Sequence, residues 1–260
     1  MRILAHRGSP GPTSVENTVP AVLACLSAGA DGVEVDLRLS ADDVLVVCHD
    51  PDLQRLTGLA VPVATSPWEV LYAAADAHAV PLARLEWMLE ALAGRPVVLE
   101  VKAPPPGPAA VRRIAEAVVE RLTVLQTAGL PLDVTVSSFA PAVVAAARGL
   151  APASLGIRTA QLGRPTVRAG AVLRQALAAG HDEIHPHVAA LLAEPGCVAA
   201  AHRCGVSVVP WTVNRSRAVR RLAGLGVDAV ITDVPTKAQA VAAMVASRPA
   251  ATRTVTPRAG

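Results

Sequence analysis

Gly32-Val33-Glu34-Val35-Asp36-Leu37 reads as a β-strand whose alternation separates two chemistries. Side chains two apart share a face, so Glu34 and Asp36 point one way while Val33, Val35 and Leu37 point the other. Neighbouring carboxylates set in an apolar strand repel one another and resist leaving water unless a cation or a proton relieves the charge. A divalent metal bound through oxygen is the natural relief. The same alternation recurs in Val98-Leu99-Glu100-Val101-Lys102, where an acid and a base share one face near the end of a strand. Glu100 would be a third oxygen donor and Lys102 a point charge for phosphate oxygen. The plain alternative for this second strand is a buried Glu-Lys ion pair with no ligand.

Working outward, short β-rich runs alternate with longer helical ones. Strands are predicted at Arg2–Ala5, Val33–Leu39, Val97–Val101, Val134–Ser137, Ser154–Ile157, Glu183–Ile184, Val206–Val209 and Ala229–Ile231. Helices are predicted at Val19–Ala28, Arg84–Leu92, Ala109–Leu125, Pro141–Arg148, Ala171–Ala179, Val188–His202, Arg217–Leu222 and Lys237–Met244. About eight strand–helix units imply an α/β fold, a TIM (β/α)8 barrel with a short insertion after the second strand. The run Val44–Cys48 follows that strand too closely for a crossover helix and suits a hairpin. The expected organisation is a single barrel over 1–247, a small insertion over the barrel mouth at 50–80 without strong period, and a disordered tail at 248–260.

In a barrel the C-terminal strand ends converge on one site. His6 and Arg7 end the first strand and His49 ends the hairpin run, so these three join Glu34, Asp36, Glu100 and Lys102 around one pocket. Singly, each is compatible with a structural role; together, they are hard to explain as structure.

Composition narrows the function. Hydrophobic residues make up 52% of the chain and charged ones 17%, which excludes disorder. One Tyr, one Phe and three Trp leave little surface for base stacking, and a net charge of +3 spread along the chain does not trace a nucleic-acid backbone. Nucleic acid is therefore not an expected partner; a small anionic substrate is. Cys25, Cys48, Cys197 and Cys204 have no disulfide-framework spacing and are expected as reduced thiols. Met1 to His6 shows no signal peptide, and no run suits stable membrane insertion, so a cytoplasmic location is expected.

The chemistry-bearing residues resemble the glycerophosphodiester phosphodiesterase family. The resemblance rests on His6-Arg7-Gly8, Glu16-Asn17-Thr18, Glu34-Val35-Asp36 and His49-Asp50. It continues through Leu99-Glu100-Val101-Lys102, Ser137-Ser138-Phe139, Pro210-Trp211-Thr212-Val213-Asn214 and Ile231-Thr232-Asp233-Val234-Pro235. It implies that Glu34, Asp36 and Glu100 hold one Mg²⁺ or Ca²⁺, that Arg7 and Lys102 hold the phosphate, and that His6 and His49 are general acid and base, in an order left open. It further implies hydrolysis of a glycerophosphodiester to sn-glycerol 3-phosphate and an alcohol, the glycerol 2-hydroxyl or a water attacking phosphorus. Trp211 resembles a residue lining the glycerol side, or else caps the barrel core. Glu16 and Asn17 read as support: Asn17 could cap the following helix while Glu16 orients His6 or Arg7. Asp233 reads equally as an ordinary helix cap. The chain departs from the family's pattern after His49-Asp50, where only Arg55-Leu56-Thr57-Gly58 and Val80-Pro81-Leu82-Ala83-Arg84-Leu85-Glu86 remain of longer motifs. That excursion bears on head-group preference.

Other readings are a lysophospholipase D-type enzyme acting on lysophospholipids, a non-catalytic phosphodiester-binding barrel, and an aldolase using Lys102 as a Schiff base. Secretion signals, disulfides and the apolar loop expected of a sphingomyelinase D are not evident. His181, His185 and His187 tempt a zinc assignment, but Pro186 prevents helical ligand spacing.

Overall fold

The structure is a computed structural model describing residues 1–8 and 15–246; the tail expected at 248–260 lies outside the described residues. In chain order the strands are β1 (Arg2–His6), β2 (Gly32–Leu39), β3 (Leu45–Val47), β4 (Ala83–Arg84), β5 (Val97–Val101), β6 (Val134–Ser138), β7 (Arg158–Leu162), β8 (Glu183–His185), β9 (Ser207–Val208) and β10 (Ala229–Thr232). The helices are α1 (Val19–Ser27), α2 (Gln54–Thr57), α3 (Trp68–Asp76), α4 (Leu85–Leu92), α5 (Pro108–Thr127), α6 (Pro141–Leu150), α7 (Ala169–Ala179), α8 (Val188–Ala193), α9 (Gly196–Arg203), α10 (Ser216–Leu225) and α11 (Pro235–Ala246).

Eight strands lie side by side in the order β10-β1-β2-β5-β6-β7-β8-β9, each parallel to the next. The remaining seam is bridged by Asp228 N–H to Val208 O at 3.1 Å and Ile231 N–H to Pro210 O at 3.0 Å. Pro210 has no N–H to return, which is why regular pairing stops at β9. The fold is the expected TIM barrel. Two apolar layers lie between the strands and their surrounding helices, one centred on Val33, Val35 and Leu37 and the other on Ile184, Val208 and Val230. Inside the barrel, Leu4, Val98, Val209, Ala229 and Ile231 form an apolar plug. The plug separates polar side chains at the two ends of the interior.

Most predicted spans differ from the observed ones by one to three residues, and two differ for physical reasons. Residues 153–155 form a 3₁₀ turn closed by Gly156 at φ 64°, and the strand runs through Arg158–Leu162 instead. That strand carries Thr159 and Gln161 on the helix-facing side, so it lacks the apolar alternation that marks its neighbours. The helix predicted over Val188–His202 breaks at Glu194 and Pro195 into α8 and α9, because proline cannot continue the hydrogen-bond ladder.

β3 runs antiparallel to β2 and pairs with β4, which returns the chain to the barrel. The excursion between them is not aperiodic: α3 buries Trp68, Leu71 and Ala75 at helical spacing against Val46, Leu53, Val63 and Leu82. Among the described residues, no helix is long and apolar enough to cross a membrane.

Candidate active site

β2 places Glu34 and Asp36 at the C-terminal mouth, and β5 places Glu100 in register beside Asp36. Gly32 makes this arc possible, since a Cβ there would lie 2.2 Å from the Pro96 carbonyl oxygen. One oxygen from each of Glu34, Asp36 and Glu100 falls within 4.8 Å of the others, and all three residues are buried. Glu34 Oε1 has no hydrogen-bond partner. Three hard oxygen donors and an unpartnered carboxylate oxygen fit one Mg²⁺ or Ca²⁺.

Cations border this cluster. Lys102 Nζ lies 2.7 Å from Asp36 Oδ1 and also contacts Glu100. Arg7 donates its backbone N–H to Glu34 Oε2 at 3.0 Å, and its Nε lies 3.4 Å from Asp36 Oδ2. Its backbone sits at φ 55°, a conformation that costs energy in a non-glycine residue and persists where surroundings enforce it. Gly8 follows at φ 58°, where a Cβ would strike Val22 of α1 at 2.4 Å.

Asn17 clamps Asp36 twice: its Nδ2 donates to Oδ2 at 2.8 Å and its Oδ1 accepts the Asp36 backbone N–H at 3.0 Å. It does not cap α1; Thr18 does, accepting from Ala21 N–H at 3.3 Å. Glu16 accepts from Arg7 Nη1 at 3.0 Å and from Arg55 Nη2 at 2.5 Å. Arg55 in turn donates Nε to Asp50 Oδ2 at 2.5 Å, and Asp50 Oδ1 lies 2.7 Å from His49 Nδ1. Glu16 therefore orients Arg7 and links it, through the excursion, to His49.

His6 Nδ1 lies 2.6 Å from Asp233 Oδ1, and its Nε2 lies 3.9 Å from Glu34 Oε2. Asp233 is further fixed by Asn214, which donates Nδ2 to Oδ2 at 2.5 Å and accepts the Asp233 backbone N–H at 2.9 Å. Its carboxylate faces His6, so the helix-cap reading of Asp233 is replaced. Asn214 and Asp233 stood inside quoted motifs, yet nothing in their local sequence named His6 as the partner.

The charges follow from these contacts. Burial and the adjacent Asp36 push the Glu34 carboxyl up to about 8, against the opposing pull of His6 and Lys102. Burial also opposes ionisation of Asp36, but Lys102 and Arg7 outweigh it and hold that carboxyl below its usual range. Burial disfavours the Lys102 ammonium, yet Asp36 and Glu100 raise its proton affinity above that of a free lysine. A Schiff-base lysine needs a neutral amine, so the aldolase reading loses its nucleophile. Burial opposes the His6 cation, while the Asp233 hydrogen bond and the Glu34 charge overcome it and raise its proton affinity.

His6, Glu34, Glu100, Ser137, Leu162, His185 and Trp211 line one narrow cleft in the mouth. Trp211 borders this cleft and also packs on the apolar plug, with its Nε1 donating to His185 O at 3.0 Å. Beside Lys102 a larger groove of about 520 Å³ opens, lined by Arg38, Pro51, Ala64, Pro104 and Ile114. The three histidines considered for zinc separate: His181 meets Thr159, His185 meets Glu183, and His187 accepts from Ala189 N–H. All four cysteines are free.

The model of the glycerophosphoryl diester phosphodiesterase family matches residues 6–237. A glycerophosphodiester phosphodiesterase from Bacillus altitudinis is 31% identical over 252 residues, which span 91% of this chain and 96% of that protein. A solved structure from Silicibacter pomeroyi, described as a glycerophosphoryl diester phosphodiesterase, matches with a TM-score of 0.76 at 26% identity, covering 94% of each chain. A phosphodiesterase from Oleispira antarctica, solved with its product sn-glycerol-3-phosphate, shares the fold at a TM-score of 0.76 and 22% identity, covering 93% of this chain and 96% of that one.

Proposed function

Because the chain belongs to the glycerophosphoryl diester phosphodiesterase family, we propose that it hydrolyses a glycerophosphodiester to sn-glycerol 3-phosphate and an alcohol, using one divalent cation, Mg²⁺ or Ca²⁺. The observation that carries this reading is the buried triad of Glu34, Asp36 and Glu100 with its unpartnered Glu34 oxygen, opening onto the same cleft as His6. These three carboxylates would hold the cation. When bound, it would neutralise charge on the phosphoryl oxygens and lower the pKa of a nearby hydroxyl.

Arg7 and Lys102 flank the triad and supply fixed positive charge for the phosphate. Both are held at the edge of the site by Asp36, with Glu100 also holding Lys102. His6 and His49 share one design: each has Nδ1 against a carboxylate, Asp233 and Asp50 respectively, at 2.6 and 2.7 Å. An ionised carboxylate only accepts, so Nδ1 carries a proton and Nε2 is left to exchange one with the substrate. One histidine takes the proton of the attacking hydroxyl and the other protonates the departing alkoxide.

A second reading, a lysophospholipid substrate, is favoured by the groove beside Lys102, whose largely apolar lining suits a lipid chain on the leaving alcohol's side. A mouse lysophospholipase D is 42% identical over 71 residues, 27% of this chain.

The test is release of glycerol 3-phosphate from glycerophosphocholine and glycerophosphoethanolamine, with EDTA and then with Mg²⁺ or Ca²⁺ restored, beside His6→Ala and Glu34→Ala. Metal-restored release abolished by both substitutions is the expected result. Release that survives chelation, or survives either substitution, overturns the mechanism, and faster release from a lysophospholipid selects the second reading.

A further inference from the structure

In the mouth, two buried polar atoms that the mechanism does not use have no hydrogen-bond partner, one beside Glu100 on the next strand and one on the far wall. They are Nδ1 of His185, a residue 0% exposed, and Oγ of Ser137, 1% exposed. Both residues line the cleft that contains His6, Glu34 and Glu100. Leaving such groups dry and unpaired is costly, and these two, unlike Arg84 Nε, Glu86 Oε2 and His181 Nε2 elsewhere, line a cleft that a ligand can enter. The adjacent Ser138 shows the structural alternative: its hydroxyl donates to Val101 O at 2.6 Å and accepts from Ala140 N–H at 3.0 Å.

We propose that His185 and Ser137 form a subsite that reads the terminal hydroxyl of the substrate's glycerol. The identity of the ligand rests on the phosphodiesterase reading; the subsite itself rests on the two orphaned atoms. His185 Nε2 lies 3.0 Å from Glu183 Oε2, while Glu183 Oε1 accepts from Arg158 Nε at 2.8 Å and Thr135 Oγ1 at 3.0 Å. Burial opposes the Glu183 charge, but His185 and Arg158 hold its carboxyl down to about 2, so it is ionised and accepts only. His185 therefore keeps its proton on Nε2 and offers the Nδ1 lone pair as an acceptor. Ser137 can donate. The two atoms are complementary to an alcohol, which donates to an acceptor such as His185 Nδ1 and accepts from a donor such as Ser137 Oγ.

Strand order selects which hydroxyl. β8 is four places from β2 around the eight-stranded sheet, so His185 faces Glu34 across the mouth. Ser137 is in register with Glu100 on the intervening arc. With the phosphate held near Arg7 and Lys102, the hydroxyl farthest from phosphorus reaches the far wall. Val98, Leu162 and Trp211 leave the carbon chain between apolar surfaces.

The experiment compares kcat/KM of the metal-loaded enzyme on glycerophosphocholine and on the propane-1,2-diol analogue, which lacks only the terminal hydroxyl. It is run on the wild type, Ser137→Ala and His185→Phe, with calorimetric affinities for glycerol 3-phosphate and methyl phosphate measured alongside. The wild type should prefer the full substrate by about tenfold or more, and each substitution should bring that preference toward unity, mostly by loss on the full substrate. A preference unchanged in Ser137→Ala overturns the subsite, and that small substitution keeps the test valid if His185→Phe does not fold. If no diester is turned over, the affinities decide: glycerol 3-phosphate binding that weakens in Ser137→Ala while methyl phosphate binding does not supports the subsite and removes only the catalytic reading. Absence of glycerol 3-phosphate binding, or equal weakening for both ligands, overturns the subsite.

Discussion

Glu34 and Glu183 are both glutamates on inward faces of barrel strands, and they are equally secluded, at 3% and 4% exposure. Their protonation nevertheless runs in opposite directions, to about 8 for Glu34 and about 2 for Glu183. Depth is shared, so depth is not the cause. Glu183 has both oxygens occupied by donors from Thr135, Arg158 and His185. Glu34 has one oxygen with no partner and shares its space with Asp36 and Glu100. One end of the barrel interior is a completed ion-pair network, and the other is a set of charges completed only by something from outside. Between these two glutamate clusters, incomplete satisfaction, more than burial, is what differs.

The strongest way to break this contrast is to withhold the cation. Chelation should lower release of glycerol 3-phosphate by about 10³-fold or more, several kcal/mol of transition-state stabilisation, and added Mg²⁺ or Ca²⁺ should restore it. Undiminished turnover in EDTA would remove the distinction between the two ends. Next in size, His49→Ala should cost about 10²–10⁴-fold in kcat with native circular dichroism, the range for losing a general acid or base. A loss confined to KM would move His49 from proton transfer to binding.

At the completed end the effect should fall on stability. Glu183→Ala removes the hydrogen bonds to Thr135, Arg158 and His185, leaving Arg158 with the partly exposed Asp133, and should cost about 1–3 kcal/mol in urea unfolding. Glu34→Gln in metal-free protein should be neutral or stabilising, because the amide fills the site without the proton that burial forces the carboxyl to take up on folding. Equal losses in the two variants would erase the comparison.

The smallest effect is on pH dependence, and there the two residues have opposite signs. The folded Glu183 carboxyl titrates below its ordinary value, so its contribution is present above about 4.5 and is lost as pH falls toward 2. The folded Glu34 carboxyl titrates above its ordinary value, so metal-free protein loses stability as pH rises from about 4.5 through about 8. Urea midpoints across this range should show the high-pH decline in the metal-free wild type and a flatter profile in Glu34→Gln. A decline that persists in that variant would assign it to another group.

Much of the charged arc of the mouth was legible in the chain. A period of two places Glu34 with Asp36 and Glu100 with Lys102 whatever the rest of the fold does, because strand geometry alone alternates side chains. The count of strand–helix units was legible for the same local reason, as was the convergence of His6 and Arg7 with those acids once a barrel was inferred. The fifth barrel strand was displaced because Thr159 and Gln161 hide its periodicity, and α3 was passed over although Trp68, Leu71 and Ala75 carry helical spacing.

The sequence by itself determined which residue types stand at strand ends and which face each one shares, since those follow from local backbone geometry. Only the tertiary structure decided which distant groups meet there. Asp233 reaches His6 across 227 residues, Arg55 joins Asp50 to Glu16 across 39, and Arg158 completes Glu183 across 25. The same holds for what is left unmet, the Glu34 oxygen, His185 Nδ1 and Ser137 Oγ. Whether a buried polar atom finds a partner depends on elements brought together by barrel closure, and no local pattern encodes that.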